Sequence, residues 1–154
     1  MSLNASSCAA SITSSYDAGA IPGDYPADFA EAYHEYAEAG VIPGAESGGG
    51  DKSIIETFMR NAASSSQTIT ELAVTLSDYW SGVGLTPAEP NISSVNNAGT
   101  KVADFEAAIT SSITTSDSQP YFEQFILNIE AVVKTIQWTI TPPPPGSPFV
   151  STIS

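Results

Sequence analysis

The sequence predicts an all-α fold, a bundle of about four helices with extended N- and C-terminal arms. Three observations carry that expectation. Apolar side chains recur at spacings of three and four through most of residues 24–140. Helix start and stop residues bracket those stretches. The two ends differ in composition, with Ser, Ala and Gly dominating 1–23 and five prolines in 141–154. The expected organisation is therefore an N-terminal arm (1–23), a helical bundle domain (24–140) and a proline-rich C-terminal arm (141–154).

Within 1–23 the apolar side chains Leu3, Ile12, Tyr16 and Ile21 are scattered, so the segment reads as an arm without regular structure. Asp24 and Pro26 open a first helix, Phe29, Tyr33, Tyr36 and Ala37 give its apolar face, and Gly40 with Pro43 closes it. Ile-Pro-Gly at 21–23 and again at 42–44 reads as two tight turns, and Gly44 to Gly50 as a flexible loop. Ser53-Ile-Ile-Glu56 has the pattern of a capping box. The apolar series 55, 58, 62, 69, 72, 76, 80, 83 then predicts one helix of about 45 Å, or two nearly collinear ones. Ser64-Ser-Ser66 is its weak point, and Thr68-Ile-Thr-Glu71 is a second possible capping box.

Residues 84–97 read as a Pro/Asn/Ser loop, and Val95, Ala98, Val102, Phe105, Ile109 and Ile113 as a third long helix near 95–115. Asp117-Ser-Gln-Pro120 opens the last helix, whose stripe of Phe122, Phe125, Ile126, Ile129, Val132, Val133 and Ile136 should be the best buried. Residues 135–141 alternate with the period of a strand, but Ile140 also fits the helical register of Ile136. The helix is expected to run to about Trp138, before Pro142–Pro145 force an extended polyproline segment.

Charge excludes several function classes. Seventeen carboxylates against four cations give a net charge of −13 in 154 residues. The deficit lies in Lys and Arg, while 36 Ser and Thr residues take up the composition. Four cations cannot neutralise a row of phosphates, so neither nucleic acid nor an anionic membrane is an expected partner. One Cys and one His argue against a disulfide scaffold, a zinc finger and most metal or triad chemistry. No run of eighteen apolar residues predicts a membrane span, and the start lacks the basic and apolar regions of a signal peptide.

The candidate chemical motifs are each incomplete. Glu31-Ala-Tyr-His34 has the Glu-x-x-His spacing of di-iron bundles, but such a site needs a second copy of the motif. Asp28, Glu31, Glu35 and Glu38 instead read as one solvated helix face. Gly48-Gly-Gly-Asp51-Lys52-Ser53 puts Asp51 and Glu46 where a phosphate-binding loop requires glycine, so it reads as a linker with a helix cap. There is no Gly-x-Ser-x-Gly elbow, and Cys8 has no nearby cation to lower its pKa. Lys52 and Arg60 each lie four residues from Glu56, Lys101 three from Asp104 and Lys134 four from Glu130, so all four cations are expected to pair along helices. No catalytic, cofactor-binding or metal-ligating residue is expected, and no cofactor. Trp80 reads as core, and Trp138 as core or interface.

The β-prone tail Phe149-Val-Ser-Thr-Ile153 is suited to pairing with an exposed strand of a partner. Trp138, Ile140, Pro142, Pro143, Phe149, Val150 and Ile153 are the candidate interface residues. The run Trp138-Thr-Ile-Thr-Pro-Pro-Pro-Pro at the end of a helical, Lys-poor, Ser/Thr-rich body resembles small structural proteins of tailed-phage particles, those that complete or decorate the head, neck or tail. The resemblance implies a non-enzymatic, multi-copy virion subunit, made in the host cytoplasm, with other protein subunits as partners and arms that lock onto neighbours. The alternatives are a stand-alone helical adaptor or chaperone-like module, and a small carboxylate-based metal-binding enzyme.

Overall fold

A computed structural model describes residues 2–17, 25–42, 45–64, 67–87, 93–112, 118–142 and 144–154. Among them are helices α1 (Ala5–Asp17), α2 (Tyr25–Glu38), α3 (Lys52–Ser64), α4 (Ile69–Ser81), α5 (Val102–Ser112) and α6 (Ser118–Val133). The strands are β1 (Val41–Ile42), β2 (Ala45–Ser47), β3 (Leu85–Pro87), β4 (Ser93–Asn96), β5 (Gln137–Thr141) and β6 (Phe149–Thr152). The protein is thus mostly helical but not all-α. Two antiparallel three-stranded sheets, ordered β1-β2-β3 and β4-β5-β6, accompany the helices.

The expected N-terminal arm is instead a core helix. The Asn4 side chain accepts from Ser7 N at 3.0 Å, satisfying one of the first-turn amides, and α1 follows. Ala5, Cys8, Ala9, Ile12 and Thr13 form its buried face, and the helix packs against α2 and α6. Small side chains let it lie close to its neighbours, which is why no bulky apolar stripe marks it in the sequence.

Helix α2 matches the expected first helix, with Pro26 in the first turn, where its missing N–H has no intrahelical partner. The long stripe of residues 53–83 divides into α3 and α4, which pack on each other rather than running on in line. Thr68 caps α4: its side chain accepts from Glu71 N, while Glu71 reaches back to Thr68 N. The cap at the start of α3 is Asp51 and not Ser53, because the Asp51 carboxylate accepts from both Ser53 N and Ser53 Oγ. The expected loops at 44–50 and 84–97 contribute β2, β3 and β4, and the helix expected from Val95 begins only at Val102. Ile21–Gly23, Pro43, Gly44 and Ile113 lie outside the described residues.

The C-terminal third departs furthest from expectation. Helix α6 ends at Val133, and the period-two pattern prevails over the helical register: Trp138 and Ile140 of β5 are buried, whereas Gln137, Thr139 and Thr141 are exposed. The tail then reverses, and β6 pairs with β5 in the register Gln137↔Thr152 to Ile140↔Phe149. Beyond β6, Ser154 and Val41 exchange two backbone hydrogen bonds of 3.0 Å, joining the end of one sheet to the first strand of the other. Ile153 is 2% exposed. It fills a space left by Gly40, where a Cβ would stand 2.2 Å from Ile153 Cδ1 and 3.2 Å from Leu3 Cδ2.

That close approach predicts a coupled pair. Gly40→Ala should destabilise by about 1–3 kcal/mol through overpacking, and Ile153→Ala by about 2–5 kcal/mol through a cavity. In the double variant the methyl occupies vacated space, so urea denaturation should give a cost smaller than the sum. Strict additivity would show that the two side chains do not share one seat.

Candidate functional site

The candidate interface residues lie on a hairpin that belongs to this chain's own sheet. Trp138, Ile140 and Ile153 are buried within the protein, so these side chains leave almost no surface for a partner. The expectation of a projecting arm is corrected on this point: the strand partner of Phe149–Thr152 is β5 of the same chain. Pro142 is half-buried, Pro143 lies outside the described residues, and Phe149 and Val150 remain exposed. Residues 144–148 between the two strands are exposed throughout.

Asp28, Glu31, Glu35 and Glu38 are exposed along α2 as expected, and the one histidine lies beside them only partly exposed. His34 is half-buried, with Nδ1 2.9 Å from the Tyr79 hydroxyl and Nε2 3.4 Å from Glu38 Oε1. Gly49 (φ 69°) closes over the ring, and a Cβ there would stand 2.6 Å from His34 Cε1. The imidazole is therefore enclosed by a loop, a tyrosine and a carboxylate. Asp28 accepts from Ser15 Oγ at 2.7 Å, tying α1 to α2. No group of three or more potential metal ligands occurs among the described residues.

Three of the four cations make the expected helical pairs: Arg60 with Glu56 at 2.7 Å, Lys134 with Glu130 at 3.0 Å and Lys101 with Asp104 at 3.9 Å. Lys52 departs from expectation and pairs with Glu31, across from α3 to α2. That contact lowers the pKa of the Glu31 carboxyl and raises that of the Lys52 ammonium. Hydrogen bonds from Ser53 likewise lower the pKa of Asp51, whose carboxylate caps the start of α3.

Cys8 is buried, and its thiol is pushed up to about 12 by that burial first and by the negative Glu35 and Glu130 second. It is a packing residue that resists ionisation. Tyr33, Tyr36 and Tyr79 are also raised, each chiefly by burial. Tyr33 accepts from Trp80 Nε1 at 2.9 Å, and Tyr36 donates to Glu130 Oε2 at 3.0 Å. Sequence reasoning missed this polar lining of the core, because the partners are 94 and 47 residues apart. Open grooves of about 480 Å³ between α5 and α6 and about 570 Å³ between α3 and α4 have mixed linings, with Asp104 and Val132 in the first and Phe58 and Glu71 in the second.

These four buried acids set the alkaline limit of the fold. Their folded pKa values lie above the unfolded values of 9.0 for the thiol and 10.0 for the phenols. Their stabilisation is complete below those values and is lost as pH rises toward the folded ones, by about 1.4 kcal/mol per pH unit for each group. The melting temperature should fall from about pH 9 to about pH 11, with part of the tyrosine absorbance change at about 295 nm appearing only on unfolding. A constant melting temperature over that range would contradict the burial of these groups.

Compared with known proteins, the chain matches no family model, no curated protein and no solved structure.

Proposed function

We propose that this protein is a non-enzymatic structural subunit of a multi-copy assembly, and that the assembly is a virion, the setting the C-terminal resemblance implies. The observation that carries this reading is the outer face of the β4-β5-β6 sheet. Alternation along the strands turns Ser93, Val95, Gln137, Thr139, Thr141, Val150 and Thr152 outward, and all seven are exposed. Val95, Thr139 and Val150 form one cross-strand row in which Val95 is 70% and Val150 59% exposed. None of the seventeen carboxylates or four cations lies in these three strands.

A second copy of the chain suits this face. Two molecules of charge −13 repel over most orientations, but not where neutral surface meets neutral surface. The row reads valine, threonine, valine, so a two-fold axis along β5 sets valine over valine in both directions, as an isologous contact requires. Three strands about 4.8 Å apart offer far less than the roughly 800 Å² per partner of a standard interface. Each contact is consequently weak alone and gains its strength from repetition among linked copies.

The test is the double variant Val95→Glu/Val150→Glu. Both side chains point outward, so the melting temperature should change little, by the equivalent of about 0.5 kcal/mol or less per site. Mass photometry and analytical ultracentrifugation should show wild-type assemblies that dissociate in the variant. A wild-type chain that stays monomeric at every concentration, or a variant that assembles like wild type, would overturn the proposal.

A further inference from the structure

We infer that the C-terminal strand is exchangeable, and that in the assembled state it occupies the same seat on a neighbouring copy of this chain. The inference rests on the multi-copy reading above but draws on different residues. The seat is a built feature: Gly40 has no side chain where Ile153 enters, and Leu3 is the next atom group against that space. Val41 offers one N–H and one C=O, which Ser154 satisfies with two hydrogen bonds of 3.0 Å. The edge of β5 is likewise satisfied by β6 through a four-residue register. All of these partners are backbone groups or a shape-matched isoleucine. A strand of identical sequence from a second molecule satisfies them equally well.

The tether makes the transfer sterically open. Between β5 and β6 the chain runs Pro142-Pro-Pro-Pro-Gly-Ser-Pro148, and residues 144–148 are exposed. Five prolines remove five amide donors, so this tether has few means of bonding to the body. Polyproline geometry favours extension at about 3.1 Å per residue, giving a reach of about 22 Å over seven residues. The native hairpin requires this stiff segment to reverse direction, whereas delivery to a neighbour does not. Exchange conserves the contacts of the seat, which is the condition under which swapping is a low-cost route to oligomers.

Two chains, each with one introduced cysteine beside the native Cys8, distinguish the states, because Cys8 is buried and stays out of the chemistry. Val41→Cys and Ser154→Cys are made in separate full-length chains, co-expressed and oxidised. The two introduced thiols then meet only when one molecule's strand sits in the other's seat, and about half of randomly exchanged dimers carry that mixed disulfide. Ile153→Glu in the Ser154→Cys chain unseats the strand and should reduce the mixed product about tenfold or more, separating seating from chance collision. The double variant Val41→Cys/Ser154→Cys in one chain confirms that the geometry permits the bond.

The expected result is a mixed disulfide in the assembled fraction that Ile153→Glu abolishes. An assembly whose double variant closes only within single chains would overturn strand exchange while leaving the structural-subunit reading intact. A chain that never assembles and yields no mixed disulfide would overturn both. Mixed product unaffected by Val95→Glu/Val150→Glu would establish exchange independently of the sheet face.

Discussion

The fold hangs on a run of buried aromatic rings that crosses three elements. Tyr36 and Tyr33 of α2 lie 5.5 Å apart, Tyr33 and Trp80 of α4 6.4 Å, and Trp80 and Trp138 of β5 6.4 Å, with Tyr79 edge-on to Tyr33 and Trp80. All but the tilted Tyr33–Tyr36 pair meet edge to face, an arrangement that contributes about 0.5–1.5 kcal/mol per pair beyond the area buried. Their polar ends fix orientation as well: Trp80 Nε1 donates to Tyr33, Tyr36 donates to Glu130 of α6, and Tyr79 meets His34. Trp138 Nε1 has no hydrogen-bond partner among the described residues, a cost of about 1–3 kcal/mol set against the burial of the largest side chain in β5. Helices α2, α4 and α6 and the C-terminal sheet are thereby held in one relative arrangement.

The edges of that arrangement are pinned by two adjacent asparagines. Asn96 Nδ2 donates to Trp80 O at the end of α4, and Asn96 Oδ1 accepts from Ala98 N. Asn97 exchanges with Gln137 twice, accepting through Oδ1 from Gln137 N and donating its own N–H to Gln137 O. The start of β5 is therefore tied to the chain between β4 and α5. This explains why residues 137–141 leave the helical register that Ile136 and Ile140 share. A strand there gains a partner on each side, from β4 and from β6, whereas a continued helix would leave both without one.

How much is legible in the sequence follows from the distance over which each signal acts. Helix α2 and the Thr68–Glu71 capping box depend on residues within four positions of each other, and both are visible in the sequence. The pairs Arg60–Glu56, Lys101–Asp104 and Lys134–Glu130 are visible for the same reason. The partner of Lys52 is not, because Glu31, on another helix, competes with Glu56 on its own. Strands of two to five residues carry too little local pattern to be seen before their partners are known. Helix α1 is hidden by its small side chains, although Ala5, Cys8, Ala9 and Ile12 do keep helical spacing. Of the candidate interface, the residue types are legible, but the seat is not, since Gly40 and Ile153 lie 113 positions apart and signal each other only through an absent side chain.

The distribution of chemistry over this fold gives the low cation count a further meaning. The histidine, the cysteine and three of the tyrosines take part in the packing: His34 meets Tyr79 and Glu38, Cys8 is buried, and Tyr33, Tyr36 and Tyr79 belong to the aromatic run. All four cations are held by carboxylates. The charged groups that the described helices expose are mostly carboxylates, set among serine, threonine and alanine, whereas the outer face of the β4-β5-β6 sheet presents hydroxyls, the Gln137 amide and valine with no charge. Among identical copies this division is directional. Repulsion between helical faces acts over roughly a Debye length of 8 Å at physiological salt. The neutral sheet face contributes no such term, and that difference is the physical basis of the self-association proposed for it. A weak contact can then be selective without a single specific ion pair, because the alternatives are the ones that cost energy.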